Sequence, residues 1–325
     1  MFYLNSDIII KNDKTILLTG KKTFTIAKPT TLISTLIHAL HSGIKDTDFQ
    51  RLENEGALAI AFAKLKRLDL IIQIPDNTTN NFIRKSELFL ARTFEMPENT
   101  RSNISKIHIT VLGCGGIGAN LTYHLAMSGF KKFTFIDCDA IEASNINRQY
   151  PFTPNDVGKL KTEQLENFVR AVHPDAETRS ISARVKTIDD LDNLLPTTNL
   201  IICGADTPPI LIKKIVALFA RINEVDVAFC GVGYEEISIG PLLTSHAAKT
   251  NYIASLERLD KSVNYSLLTP CRGSLGATNS MATSTLAAQL IYHYCALAPA
   301  TIKNKELLIN PWSLSLIRKI SYDEY

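Results

Sequence analysis

The segment from residue 107 to residue 137 constrains the fold of this chain more than any other feature. An apolar, β-branched run at 107–112 predicts a buried strand, and residues 117–127 predict the helix that follows it. The turn between them contains four glycines, which are Gly113, Gly115, Gly116 and Gly118. Such a turn lets backbone amides at a helix N-terminus approach a phosphate. The pattern therefore predicts a Rossmann-like α/β domain that binds a nucleotide.

A carboxylate follows at the position that such a domain uses for ribose. Residues 133–136 predict a second strand, and Asp137 ends it, 19 residues after Gly118. In a dinucleotide-binding βαβ unit a carboxylate at this place accepts hydrogen bonds from ribose hydroxyls. A glycine-rich turn that binds nothing is the alternative interpretation, and the placement of Asp137 argues against it.

The residues after Asp137 favour ATP over a nicotinamide or flavin cofactor. Arg148 and Lys161 add two cations downstream of the ribose carboxylate. Hydride transfer has no need of cations there. A triphosphate does, because negative charge must be neutralised when its α-phosphate reacts.

Residues 106 to about 206 resemble the adenylating superfamily that includes ThiF, MoeB and the ubiquitin-activating enzymes. The matching elements are the four glycines, Asp137-x-Asp139, Ser144-Asn145-x-x-Arg148-Gln149, Val157-Gly158-Lys159-x-Lys161 and Ile201-Ile202-Cys203-Gly204-Ala205-Asp206. Together these motifs cover about a third of the chain and are far more specific than the glycines alone.

The resemblance implies a site and a reaction. Asp137 would bind ribose, Asn145, Arg148 and Lys161 would contact the phosphates, and Asp206 would bind magnesium. Ser144 and Asp139 belong to the same nucleotide-binding motifs. Members of the superfamily use ATP to convert the carboxylate of a protein or peptide into an acyl adenylate. The implied cofactors are therefore ATP and Mg²⁺.

Because of its first hundred residues, the chain most resembles the branch of the superfamily that modifies ribosomal peptides, such as the enzymes of microcin C and pantocin A biosynthesis. Residues 7–11, 15–18 and 23–27 predict three short strands, and two helical patterns follow, before a return strand at 70–74. This order resembles a small winged-helix-like peptide clamp, predicted at residues 1–76. Such clamps bind a leader peptide as an added strand, here most plausibly along 23–27. A domain used only for packing or dimerisation is the alternative.

Residues 77–105 are predicted to link the clamp to an adenylating domain at 106–325. Members of the superfamily carry an arginine in this region that reaches the ATP of the partner subunit. Arg84 is the nearest candidate, and Lys85 and Arg92 are its rivals. The resemblance therefore implies a homodimer, although a solvated linker charge explains each of these residues equally well.

Cysteine spacing argues against the structural zinc that many superfamily members bind through two Cys-x-x-Cys pairs. The chain has six cysteines, and no two of them are separated by only two residues. This lowers the expectation of a sulfur-carrier activator, which usually retains the zinc. Cys271 lies in a predicted loop, and a thioester-forming role for it is a minor alternative because no activating base is identifiable.

Composition limits the remaining classes of function. The net charge of +3 and the lack of a basic run interleaved with aromatics give no case for nucleic acid. No signal peptide and no apolar run near the ~20 residues needed to span a bilayer are found, so we expect no membrane partner and a cytoplasmic location.

These observations predict an ATP-dependent enzyme that adenylates a carboxylate of a ribosomal precursor peptide. A nucleophile of the peptide itself would then attack, which gives a cyclised or dehydrated product. The alternative enzyme activates the C-terminus of a small sulfur-carrier or ubiquitin-like protein. A peptide sensor with a degenerate ATP site is disfavoured, because Arg148, Lys161 and Asp206 are all present.

Overall fold

The structure is a computed structural model, and it describes residues 1–11, 14–19, 22–53, 56–74, 84–93, 104–195, 197–262, 273–296 and 299–323. The chain forms two compact units, Met1–Asn99 and Thr100–Tyr325. The finer limits expected from the sequence, with a clamp at 1–76 and a linker at 77–105, stay predictions.

The N-terminal unit contains five short strands and four helices within its described residues. The strands are β1 Phe2–Leu4, β2 Asp7–Lys11, β3 Lys14–Leu18, β4 Thr23–Ala27 and β5 Ile71–Gln73. The helices are α1 Thr31–Ser42, α2 Asp46–Glu53, α3 Gly56–Arg67 and α4 Arg84–Thr93. Thr30 caps α1, because its hydroxyl accepts the Ile33 N–H at 3.3 Å.

Strands β2, β3 and β4 form an antiparallel sheet in chain order, as the three short β-prone runs predict. The return strand β5 pairs antiparallel with β1, a strand that sequence analysis did not anticipate. The core beneath them is aliphatic and aromatic, and its most buried members are Leu17, Ile37, Leu40, Phe62 and Leu70. A winged-helix-like clamp stays a prediction for this unit.

The second unit is built on an eight-stranded mixed sheet. Its strands are β6 His108–Leu112, β7 Lys132–Ile136, β8 Glu177–Ile181, β9 Leu200–Cys203, β10 Asp226–Val232, β11 Ile237–Leu243, β12 Lys305–Ile309 and β13 Leu316–Ser321. Their order in the sheet is β13-β12-β11-β10-β9-β6-β7-β8. The five strands from β10 to β8 run parallel, and the other three add antiparallel pairs. This is the Rossmann-like α/β fold that the glycine motif predicts.

Helices cover both faces of that sheet. They are α5 Gly116–Ala126, α6 Lys161–Val172, α7 Ile188–Leu194, α8 Leu211–Ile222, α9 His246–Ser262 and α10 Gly276–Tyr294. Strand residues alternate between the two faces, so Val111 belongs to the core under α5, α6 and α10 while Leu112 belongs to the core under α7, α8 and α9. The central strand β9, Leu200–Cys203, is apolar and buried along its whole length, as expected of a parallel strand that is covered on both faces.

The C-terminal hairpin of β12 and β13 differs in character from the parallel strands. It ends the sheet, and four large apolar side chains along it are more than half exposed, namely Trp312, Leu314, Leu316 and Ile317. Sequence analysis made no prediction for this segment. Across the described residues, we find no helix that combines the length and the apolar character needed to cross a bilayer.

Candidate nucleotide-binding site

The glycine turn connects β6 to α5 at the carboxyl edge of the sheet. Gly113 has a φ of +85°, and its N–H donates to the Ile136 carbonyl at 2.9 Å. A side chain there would collide with the backbone of Ala205, and a side chain at Gly118 would collide with the Gly113 carbonyl. Both positions therefore require glycine, which brings three backbone segments together around the N-terminus of α5.

Asp137 is held in place by the backbone on either side of it. Its Oδ2 accepts the Cys114 N–H at 2.7 Å, and its Oδ1 accepts the Asp139 N–H at 2.8 Å. Each carboxylate oxygen has two lone pairs, so each keeps one for a further donor. The side chain is half-buried at the cavity wall, where it can receive hydrogen bonds from a ribose.

Lys161 begins α6 and forms an ion pair with Asp139. Its Nζ lies 3.1 Å from Asp139 Oδ2, and its side chain is only 8% exposed. Its backbone N–H also donates to the Asp139 carbonyl, at 3.2 Å. Burial alone would raise the pKa of the Asp139 carboxyl, but the hydrogen bond and charge of Lys161 outweigh it and lower that pKa. The pair fixes a buried cation in the same cavity wall as Asp137.

The Ser144–Asn145 motif supports the site without lining the cavity. Asn145 is buried, and its amide oxygen accepts the Glu142 N–H at 3.1 Å. The Ser144 hydroxyl donates to the Glu142 carboxylate at 3.1 Å. Arg148 does line the cavity, and its Nη1 donates to the Ser144 carbonyl and to Asn147 Oδ1. In this structure Asn145 therefore shapes the loop that carries Arg148, and its predicted contact with phosphate stays a prediction.

Asp206 follows β9 and lies on the opposite side of the glycine turn from Asp137. It is exposed and lines the cavity, and its Oδ1 accepts the Thr207 hydroxyl at 3.1 Å. The remaining lone pairs suit a hard cation. Magnesium usually takes one or two protein carboxylates and completes its octahedron with substrate phosphates and water, so Asp206 alone fits this role.

A second acidic group fits a metal less well. Asp137, Cys138 and Asp139 place potential ligand atoms within 4.8 Å of one another. However, both oxygens of Asp137 already accept backbone N–H groups, and Asp139 is paired with Lys161. These contacts hold the carboxylates in the loop, and the Lys161 charge beside Asp139 opposes the binding of a cation there.

These residues surround one cavity of about 560 Å³, a volume within the ordinary range for sites that bind small molecules. It is lined by Gly113, Gly115, Gly116, Asp137, Asp139, Arg148, Lys161 and Asp206 from the predicted set. Gly118, Ser144 and Asn145 do not line it. The side chain of Arg84 and that of its rival Arg92, together with Cys271, lie outside the described residues, while Lys85 is exposed on α4.

The sequence assigned no role to several polar residues of the cavity wall, and three of them bear on its charge or shape. They are Arg184, which follows β8, Lys213 in α8, and Asn279 in α10. With them, the charged lining amounts to four cations and three carboxylates. Asn279 is buried, and its oxygen lies where a side chain on Gly116 would be. No motif marks any of the three, because each comes to the cavity through the packing of a different element.

The ThiF family matches residues 90–324 of the sequence, which is more than two thirds of the chain. The chain belongs to the ThiF family. The resemblance drawn from the glycines, Asp137, Arg148, Lys161 and Asp206 is thereby confirmed.

Solved structures of ThiF-like proteins share the whole fold. The structure of Escherichia coli MccB with ATP covers 99% of this chain and 96% of its own, with a TM-score of 0.70 and 20% identity. MccB, described as a microcin C7 biosynthetic enzyme, is also known in complex with N-formylated MccA. PaaA, in its selenomethionine form, covers 99% of both chains with a TM-score of 0.70 and 17% identity. At these identities the likeness establishes the fold.

A curated relative shares more sequence over a shorter stretch. The catalytic subunit of the NEDD8-activating enzyme E1 from Caenorhabditis elegans is 36% identical over 113 residues. That match covers 35% of this chain and 26% of the relative. The chain thus spans about a quarter of that relative's length, and the similarity concerns a part of it.

Proposed function

We propose that this ThiF-family protein is an ATP-dependent enzyme that adenylates a carboxylate on a ribosomally made peptide. One observation carries the proposal: a single cavity brings together an anchored carboxylate suited to ribose, the cations Arg148 and Lys161, and the metal-compatible Asp206. The diphosphate of NAD could also pair with the cations, but NAD binding needs no metal at Asp206. ATP uses all of these groups.

The first step would be attack of a substrate carboxylate oxygen on the α-phosphorus of ATP. A bond forms between that oxygen and phosphorus, the bond from phosphorus to the bridging oxygen breaks, and pyrophosphate leaves. Arg148 and Lys161 stabilise the charge that develops on the α-phosphate. Asp206 would hold a magnesium ion, which when bound would supply a further positive charge to the phosphates.

The second step would be capture of the acyl adenylate within the peptide. A carboxylate is a poor acyl donor because its leaving group would be oxide, whereas the mixed anhydride releases AMP. A backbone amide or side-chain nucleophile of the same peptide attacks the carbonyl carbon and loses its proton, and the carbonyl–AMP bond breaks. The peptide loses one water overall, so no nucleophile of the enzyme is required.

The N-terminal unit would supply the peptide-binding surface. Within its described residues, β2 and β4 each pair on one side only, which leaves a free edge for an added strand. The same unit holds a cavity of about 440 Å³ lined by Ile8, Ile10, Lys14, Thr15, Lys28, Pro29, Ser34, Ile37 and His38. The fold-level likeness to MccB, which is known in complex with MccA, supports this assignment by analogy.

We also propose a homodimer in which an arginine near residue 84 completes the ATP site of the partner. The proposal rests on family resemblance alone. Light scattering at micromolar concentration should give twice the mass of 36.0 kDa. A fully active monomer would contradict it.

Activation of a carrier-protein C-terminus is the alternative function. It is favoured by the 36% identity to the NEDD8-activating subunit over 113 residues. The two functions share the adenylation step and differ in the partner that provides the carboxylate.

Incubation with ATP, magnesium and candidate partners would distinguish them. The candidates are short peptides encoded beside the gene and small ubiquitin-like proteins from the same genome. We expect AMP and pyrophosphate to form with a peptide, whose mass falls by that of one water, about 18 Da. Formation of ADP would refute adenylation, and AMP formation only with a ubiquitin-like protein would favour the alternative. Tighter calorimetric binding of NAD than of ATP–magnesium would refute the nucleotide assignment.

A further inference from the structure

Lys213 is a cation of the cavity wall that the family motifs do not include. It is the third residue of α8, it is half-buried, and it lines the cavity together with Asp206 and Thr207. The N-terminus of α8 therefore faces the cavity. Its helix dipole adds partial positive charge at the same place.

The surroundings of Lys213 differ from those of its neighbour Lys214. Lys214 Nζ lies 3.5 Å from Asp260 Oδ2, on α9. Lys213 forms no ion pair with any described residue. The charge of Lys214 is therefore paired with a neighbouring helix, whereas the charge of Lys213 faces the cavity.

The charge of Lys213 acts at the ends of two strands. Burial raises the pKa of the Cys203 thiol to about 11 and that of Cys230 to about 12, and in both cases Lys213 opposes the rise. Cys203 ends β9, and Cys230 lies in β10. Lys213 therefore lies in front of the carboxyl edge at β9 and β10.

The order of the strands indicates where the two ends of a bound nucleotide would lie. Asp137 follows β7 and Asp206 follows β9, and these strands are the two neighbours of β6. Neighbouring strands lie about 4.8 Å apart, so the two carboxylates mark points roughly 10 Å from each other along the edge. A nucleotide with its ribose at Asp137 would cross the N-terminus of α5 and bring its distal phosphates to the β9 side.

We propose that Lys213 binds the β- and γ-phosphates of ATP and stabilises pyrophosphate as it leaves. The proposal rests on the ATP-dependent function stated above. When the bond between the α-phosphorus and the bridging oxygen breaks, its electron pair stays on that oxygen, which becomes part of pyrophosphate. Lys213 faces this developing charge, whereas Lys161 and Arg148 act on the α-phosphate side.

The test compares ATP with AMP by calorimetric titration of the full-length chain. Lys213→Ala should weaken binding of ATP–magnesium roughly 10- to 100-fold, the range for a lost hydrogen bond to a charged group. The affinity for AMP should change less than about 2-fold, because AMP lacks both distal phosphates. Lys213→Arg, which keeps the charge, should restore most of the preference for ATP.

Lys214→Ala is the matched control and should leave both affinities unchanged. An equal loss of ATP and AMP binding in Lys213→Ala would overturn the proposal, as would unchanged ATP binding. If the wild-type protein binds AMP but gains nothing from the distal phosphates, the inference also fails. Failure of the wild-type protein to bind any adenine nucleotide would instead refute the proposed function. Near-ultraviolet circular dichroism of each variant would confirm that the fold is retained.

Discussion

The nucleotide cavity and the sheet of the N-terminal unit offer a ligand two different kinds of contact. The cavity presents charged side chains, with Lys161 and Asp137 fixed by hydrogen bonds of 3.1 and 2.7 Å. The sheet of β2, β3 and β4 presents backbone groups along two free edges. Side-chain contacts define which chemical groups bind, whereas an added strand can have almost any sequence. If the sheet binds a peptide as proposed, such a chain could keep one reaction while its peptide partner changes.

The first way to test this contrast is to damage the N-terminal core. Phe62 is fully buried and packs edge-on against Phe49, so Phe62→Ala should destabilise the unit by about 3–5 kcal/mol. Chemical denaturation would measure the loss. Ile60 lies on the same helix and is 75% exposed, and Ile60→Ala should cost less than about 0.5 kcal/mol.

The same variant tests whether the two regions work independently. None of the described residues that line the nucleotide cavity belongs to residues 1–99. The helix that begins at Arg84, the residue proposed to reach the partner's ATP, contributes no described residue to the core around Phe62. ATP affinity of Phe62→Ala should therefore stay within about 2-fold of the wild type under conditions where the second unit is folded. If Phe62→Ala lost ATP binding as well as N-terminal stability, the two regions would not work independently.

The second test removes one of the two cations proposed to contact phosphate. Arg148→Ala and Lys161→Ala should each lower the rate of AMP formation about 10²- to 10³-fold, because each removes one charge contact to the transition state. Peptide affinity, measured by fluorescence anisotropy, should not change. Lys159→Ala is the control, since Lys159 is half exposed and pairs with Asp156 at 2.9 Å. Near-wild-type turnover in a test variant would remove that residue from the catalytic set.

A third test addresses the backbone edge. A proline in β4, at a position whose N–H faces the free edge, removes one donor and should weaken peptide binding roughly 3- to 10-fold, the effect of one hydrogen bond. ATP binding should be unaffected. The matched variant places a proline on the free edge of β2. A loss confined to the β2 variant would move the docking edge to β2, the strand that contains Ile8 and Ile10.

The smallest expected effect concerns pH. Lys161 lowers the pKa of Asp139 below its ordinary value of 3.8, so the pair stabilises the folded state above that pH. This contribution should be lost as pH falls through the lower, folded-state pKa. It should stay below about 1 kcal/mol, because the Asp139 side chain is 55% exposed. Asp139→Asn should flatten the acid limb of a melting-temperature profile, and an unchanged limb would contradict the assignment.

Asp175 provides the corresponding control for the last test. It pairs with Lys131 at 2.7 Å, and its pKa is also lowered, chiefly by that hydrogen bond. Neither residue lines the nucleotide cavity. Asp175→Asn should therefore alter the acid limb by a similar amount without changing ATP affinity, whereas Asp139→Asn should change both.

The sequence predicts the centre of the second unit well, because local chemistry and fold agree there. The predicted strands at 107–112 and 133–136 and the predicted helix at 117–127 lie within about two residues of the observed elements, the uncertainty normal for element ends. Asp206 follows the apolar strand β9, and a polar residue directly after a buried parallel strand is expected at the carboxyl edge of the sheet, where the cavity lies. These features depend on contacts between residues that are close in the chain or repeat at strand spacing.

Other features depend on contacts that no local pattern records. Strand β1 exists because Phe2–Leu4 pairs with residues some seventy positions later. Asn279 reaches the cavity only because α10 packs beside α5. Asn145 carries a correct motif, yet its amide oxygen binds the loop backbone in this structure. A motif therefore predicts that a residue belongs to the site more reliably than it predicts which atoms the residue contacts.

Cys138 gives the protein an internal reporter position. Its thiol is exposed between Asp137 and Asp139, while Cys114, Cys203, Cys230 and Cys295 are buried. In a Cys271→Ser background, a thiol-specific fluorophore should therefore attach mainly to Cys138. The Arg184 guanidinium lies 3.4 Å from the Cys138 sulfur, so the dye would lie at the rim of the nucleotide cavity. Its emission would follow nucleotide arrival and departure in real time, without a labelled substrate.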